Sequence, residues 1–196
     1  MPLFDHQKFY LGAYKKYGKT PQGLCWHSLQ SQQLRFEKIY QALPQDLSSY
    51  TLIDCGCGFG DFYLYLKQKN NLPKRYIGIE EQKCFVDIAS KATSQKIIWG
   101  DFLTLPHLSG SIYICSGVLN TLTKFESILF LQKMLQNATS LVVFNFLYQQ
   151  KKQHHFNVFT QEEILNILKK HRLVYKAVGY LCGDCTIGVQ PYPQGR

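Results

Sequence analysis

The sequence holds no apolar run near the ~18 residues that a membrane-crossing helix requires. Its opening stretch, "MPLFDHQKFYLGAYKKYGK", lacks the apolar centre of an export signal. Both absences set aside a membrane span and a secreted scaffold, and a soluble, cytoplasmic protein is expected. No internal repeat, low-complexity tract or arginine-rich run occurs. Of seven cysteines, Cys182 and Cys185 have redox or half-zinc spacing in "CGDC". No second such pair and no nearby histidine pair completes a tetrahedral site, so neither metal nor structural disulfide is expected. A turn flanked by small buried thiols is the reading of that motif.

What is present describes one globular domain spanning residues 1–196. The 196 residues are 45% hydrophobic and 18% charged, enough to bury a sizeable core. A net charge of +9 allows attraction to phosphates, including those of RNA. The lysines are scattered over helices and loops, however, as on an ordinary solvated face.

Residues 1–43 read as helical, with an irregular middle at "YGKTPQGLCWHS". From residue 51 onward short β-rich runs alternate with helical segments. "TLIDC", "RYIGIE", "KIIWGD", "SIYICSG" and "SLVVFNFLY" are strands, and "RLVYKAVGYL" and "DCTIGVQ" close the series. Capping boxes mark two helix starts, Thr123 with Glu126 and Thr160 with Glu163. In the second of these helices Ile164, Leu165, Ile167 and Leu168 form one apolar stripe. Alternation implies right-handed crossovers and a parallel sheet covered on both faces. The last two strands have no helix between them and must form a hairpin. The expected fold is α/β: a doubly wound, mostly parallel seven-stranded sheet with a C-terminal antiparallel hairpin and N-terminal helices.

"LIDCGCGFGD" is the turn from the first strand into the first helix of this core, where ligands of such sheets bind. Its glycines are spaced GxGxG rather than GxGxxG, which disfavours a nicotinamide-binding redox or sensor domain. Asp54 closes the first strand, Glu80 the second and Asp101 the third. Three acids at three strand ends suit a ligand with an ammonium, a ribose and an adenine, and S-adenosylmethionine has all three. Phe102 is placed either against the adenine or in the core.

The ordered set "DCGCGFG", "GIE", "GDF" and "CSGVLNTL" resembles class I, Rossmann-like S-adenosylmethionine-dependent methyltransferases from about 51 to 190. The resemblance implies a cofactor site formed by Asp54, Gly56, Cys57, Gly58, Gly60, Asp61, Glu80, Glu81, Asp101, Phe102 and Ser116. The segment "YGKTPQGLCWHSLQSQQLRF" resembles the lead-in of small-molecule members that closes over the cofactor. Trp26 is then an apolar wall, and Arg35, on one helix face with Gln32, a donor to the methionine carboxylate. The alternative for Arg35 is a surface salt bridge.

In-line methyl transfer needs positioning more than an acid or base, and no catalytic residue stands out. His154 and His155 are weak candidates for orienting a nucleophile. An Asn/Asp-Pro-Pro-aromatic element is missing after the fourth strand, and no Pro-Cys dipeptide occurs, which lowers a DNA reading. A small-molecule acceptor is expected, with an RNA- or protein-directed enzyme as the alternative.

Overall fold

The computed structural model describes residues 5–148, 156–181 and 183–192. The chain enters through α1 (His6–Tyr17), a 3-10 turn (Pro21–Leu24) and α2 (Leu29–Ala42). It continues as β1 (Thr51–Cys55), α3 (Asp61–Gln68), β2 (Arg75–Glu80), α4 (Lys83–Thr93), β3 (Lys96–Trp99) and β4 (Gly110–Cys115). Then follow α5 (Lys124–Asn137), β5 (Ala138–Tyr148), β6 (Val158–Phe159), α6 (Gln161–Leu168), β7 (Arg172–Val178) and β8 (Asp184–Gln190).

Seven strands lie in the order β3-β2-β1-β4-β5-β8-β7. An eighth, β6, adds to the seven expected. Two residues long, it pairs in parallel with the end of β5 through Leu147–Val158 and Tyr148–Phe159. Only β8 runs against the sheet: it is antiparallel to both β5 and β7, so β7 points the same way as β5. The hairpin therefore folds back on itself with its second strand inside.

Alternation along the central strands sends successive side chains to opposite faces. Ile53, Tyr113 and Phe144 pack with Phe130, Leu131 and Met134 of α5 and Ile164 and Leu168 of α6. Leu52, Ile112 and Val143 pack on the other face with Phe36 and Ile39 of α2 and Phe62 and Leu66 of α3. Both capping boxes form as read from the sequence, Thr123 with Glu126 and Thr160 with Glu163. The stripe on α6 is narrower than expected. Ile164 and Leu168 are buried, whereas Leu165 is 48% exposed.

Strand order reverses between β1 and β4: β2 and β3 extend one way, β4 and β5 the other. The carboxyl ends of β1, β2 and β4 thus splay around a crevice.

Candidate functional site

A cavity opens at that crevice, with about 1040 Å³ of empty space once the open solvent at its mouth is included. Asp54, Gly56, Cys57, Gly58, Asp61, Glu80, Glu81, Asp101, Phe102, Ser116 and Trp26 all line it. So eleven of the thirteen expected cofactor positions converge on one space.

Each acid reaches the cavity by a different route. Asp54 is buried inside β1, and Tyr76 of β2 donates to its Oδ2 at 2.5 Å. Burial pushes its carboxyl up to about 7, against the pull of that hydrogen bond. Glu80 ends β2, where Oε2 accepts from the Gly58 N–H at 2.9 Å and Oε1 from the Gln82 N–H at 2.8 Å. Burial outweighs these donors and also carries Glu80 to about 7. Asp61 sits in the first turn of α3, where the helix dipole favours an anion. Gln32 donates to Asp61 at 3.0 Å, yet burial raises its carboxyl too. Asp101 follows β3 and turns the chain by accepting from the Leu103 N–H at 2.8 Å. Glu81 stands at the rim and accepts from Gln7 of α1.

Phe102 is a core residue, buried against Phe130 with ring centroids 4.6 Å apart, and it also lines the cavity. Cys57 is buried under the turn, and burial drives its thiol well above the usual range.

Two positions are not brought to the cavity. Gly60 caps α3 at φ +81°, and a Cβ there would lie 2.5 Å from Thr93 Cγ2 and 3.6 Å from Ala89. Its smallness lets α3 approach α4, so it serves helix packing. Arg35 is spent elsewhere. Its Nε and Nη2 donate to the two carboxylate oxygens of Asp184 at 2.9 and 2.8 Å, and its guanidinium lies over Trp26. Sharing a helix face with Gln32 was not enough, because the β8 carboxylate arrives from far along the chain. His154, His155 and Cys182 lie outside the described residues. Among those described, six cysteines are unpaired and no group of three metal-ligating side chains assembles.

The sequence reading missed several lining residues. His6 and Tyr10 of α1, Leu24, and Val118, Thr121 and Leu122 after β4 complete the walls. Tyr10 is held protonated by burial, which raises its hydroxyl far above neutrality. The only hint in the sequence was the density of aromatics in residues 1–43. Among the described residues no lysine or arginine lines the cavity. In a chain of net charge +9, a described lining with five carboxylates favours a cation.

No protein-family model matches the chain, and no curated protein matches it in sequence. Solved structures do. Magnesium protoporphyrin IX methyltransferase from Synechocystis PCC 6803 with bound S-adenosylhomocysteine is 12% identical with a TM-score of 0.75, covering 95% of this chain and 96% of that one. A chain of the complex between the Haloferax volcanii Trm112 methyltransferase activator and a putative methyltransferase is 11% identical. It has a TM-score of 0.71 over 96% of this chain and 98% of its own. The cyclase SpnF, 12% identical, matches with a TM-score of 0.67 over 82% of this chain and 80% of its own. The chain thus has the class I, Rossmann-like methyltransferase fold. That fold also hosts a cyclase, so chemistry has to be argued from the site. Among the described residues no helix is long and apolar enough to cross a membrane.

Proposed function

We propose that the cavity binds S-adenosylmethionine and that the chain transfers its methyl group to a small-molecule acceptor. The observation that carries this is the set of five carboxylates, with no lysine or arginine among the described lining residues, around a glycine turn at the strand-order switch. A sulfonium with an ammonium and two ribose hydroxyls suits such a lining, and a dinucleotide pyrophosphate is repelled by it. The chain's residues also fit the group's uncharged parts: Phe102 and Ile79 offer apolar contact, and Gly56 and Gly58 keep Cβ atoms out of the turn. With no lysine or arginine in the lining among the described residues, a carboxylate on the ligand is left to His6 and to neutral donors such as Gln32 and Ser116.

When bound, S-adenosylmethionine supplies an electrophilic methyl group. Asp54 and Glu80, once ionised, hold positive charge in the crevice. Trp26, Leu24 and Tyr10 exclude water from it. Orientation and desolvation are then the chain's main contributions to the displacement, with no residue required as a base.

The same lining supports the acceptor class. Val118, Leu122, Leu24 and Trp26 form an apolar wall, and among the described residues no lysine or arginine lines it to receive a phosphate backbone. An RNA- or protein-directed enzyme remains the competing reading through the basic exterior.

Calorimetry with S-adenosylmethionine and NAD tests the cofactor: binding of the first alone is expected, and binding of NAD alone overturns it. Labelled methyl transfer into metabolite and RNA pools tests the acceptor. Label recovered in RNA, with a steep salt dependence of binding, replaces the small-molecule reading.

A further inference from the structure

We infer that Asp184 is a positioning residue for the cavity, acting through Arg35 to fix the Trp26 indole as its wall. Asp184 opens β8, opposite Leu147 of β5, and does not itself line the cavity. Its two oxygens take Arg35 in a fork, the geometry that fixes a guanidinium plane rather than merely its charge. The two side chains are only 12% and 4% exposed, so water competes little for either. A third donor, Nη1, goes to the Ser31 carbonyl at 3.3 Å. The plane so held lies 5.0 Å from the Trp26 ring, within cation–π range.

Trp26 is gripped elsewhere as well. A Cβ on Gly117 would stand 2.8 Å from its Cη2, so the indole rests directly on the main chain after β4. That main chain is tied down in turn. The Gly117 N–H donates to Asn145 Oδ1 at 2.7 Å, and Asn145 Nδ2 donates to Ser116 Oγ at 3.0 Å. The indole is therefore held by a guanidinium anchored on β8 and by a backbone segment anchored on β5.

Asp184 also decides what Arg35 does not do. Gln32, three residues earlier on α2, reaches Asp61 in the cavity. A guanidinium released from Asp184 would share its helix face with that contact and compete for the Asp61 carboxylate, and the cavity would then lose both its wall and part of its negative charge.

The experiment uses the full chain with Trp99→Phe, which leaves Trp26 the single indole of the two present. In that background the pair variant Arg35→Gln with Asp184→Asn replaces a shielded ion pair by neutral amides, so that neither charge is left buried without its partner. Arg35→Lys keeps the charge but removes the planar face. Both are expected to shift the ligand-free Trp26 emission to the red and to open it to quenching by acrylamide. Affinity for S-adenosylhomocysteine should fall roughly tenfold to a hundredfold, the scale on which a misplaced positioning group costs a site. Parent-like emission and quenching in Arg35→Lys, or in a pair variant that melts like its parent, overturns the proposal. The affinity arm rests on the cofactor reading above, whereas the emission arm needs no ligand. A parent that fails to bind S-adenosylhomocysteine therefore sinks that reading without deciding this one.

Discussion

The Gly58 main-chain N–H donates to the Glu80 carboxylate at 2.9 Å, so the acid that ends β2 also closes the glycine turn that follows β1. One residue thereby joins the two strand ends on which the cavity is built. Its second oxygen is held by Gln82, and the group is buried.

Glu80→Gln should weaken S-adenosylmethionine binding by about 1.5–3 kcal/mol, the range for hydrogen bonds to a charged group. Glutamine keeps an acceptor for Gly58, so the turn should survive where Glu80→Ala would disturb it. Calorimetry at pH 8 reads the difference, and an unchanged affinity would remove Glu80 from ligand recognition.

Binding should also depend on pH. Asp54 and Glu80 are both raised to about 7, so they are largely protonated at pH 6 and ionised at pH 8. Affinity for the cationic S-adenosylmethionine should rise across that interval. The neutral thioether S-adenosylhomocysteine should show a smaller rise. Parallel profiles for the two ligands would disprove a role for these carboxylates in holding the sulfonium.

Stability of the ligand-free protein should move the other way. A carboxyl raised by burial binds protons in the folded state at a pH where the unfolded chain has released them. The folded state then holds more protons than the unfolded one between the unfolded value near 4 and about 7. Stability from these two groups therefore declines as pH rises through that window and levels off above it. Melting temperatures measured from pH 5 to pH 8 in the parent and in Glu80→Gln should diverge, with the variant losing less.

Most of the fold was legible because the signals were local. Apolar runs gave the strands, and Thr123 and Thr160 with their glutamates announced two helices. The acids at strand ends were readable for the same reason: once β1, β2 and β3 are placed, the positions of Asp54, Glu80 and Asp101 follow. Residues whose role depends on a distant partner were not. Arg35 reads as available until Asp184 arrives, and Gly60 reads as a turn glycine until Thr93 and Ala89 of α4 pack against it. Leu165 fits its helical stripe but stays 48% exposed. The two-residue β6 is below what any periodicity can announce.

The glycines can be separated by experiment. Gly60→Ala adds a Cβ against Thr93 at a left-handed φ and should lower the melting temperature, costing about 1–2 kcal/mol for the backbone alone. It touches no cavity wall, so affinity for S-adenosylhomocysteine in the folded fraction should be unchanged. A selective loss of affinity at unaltered stability would return Gly60 to the cofactor site.

The N-terminal helix offers a last comparison. No residue of α1 is fully buried, yet His6 and Tyr10 line the cavity. Removing residues 1–18 should leave a sheet with its circular dichroism and cooperative melt intact but with weaker cofactor binding. Undiminished affinity would mean that α1 covers the crevice without contributing to it.

Every described residue lining the cavity falls between His6 and Phe130, whereas the groups that anchor the braces of Trp26 come from Asn145 and Asp184. During synthesis the acidic crevice is therefore encoded well before the strands that lock its wall. A nascent chain reaching only the end of α5 has the described lining and the two groups that touch the indole, Arg35 and Gly117, but neither Asn145 nor Asp184 that anchors them. Closing the Arg35–Asp184 contact spans 149 residues and pays the loop-closure entropy of a long-range pairing. Ligand competence should then appear as a late phase in refolding, after helical signal has recovered, with the β8 strand as the final piece.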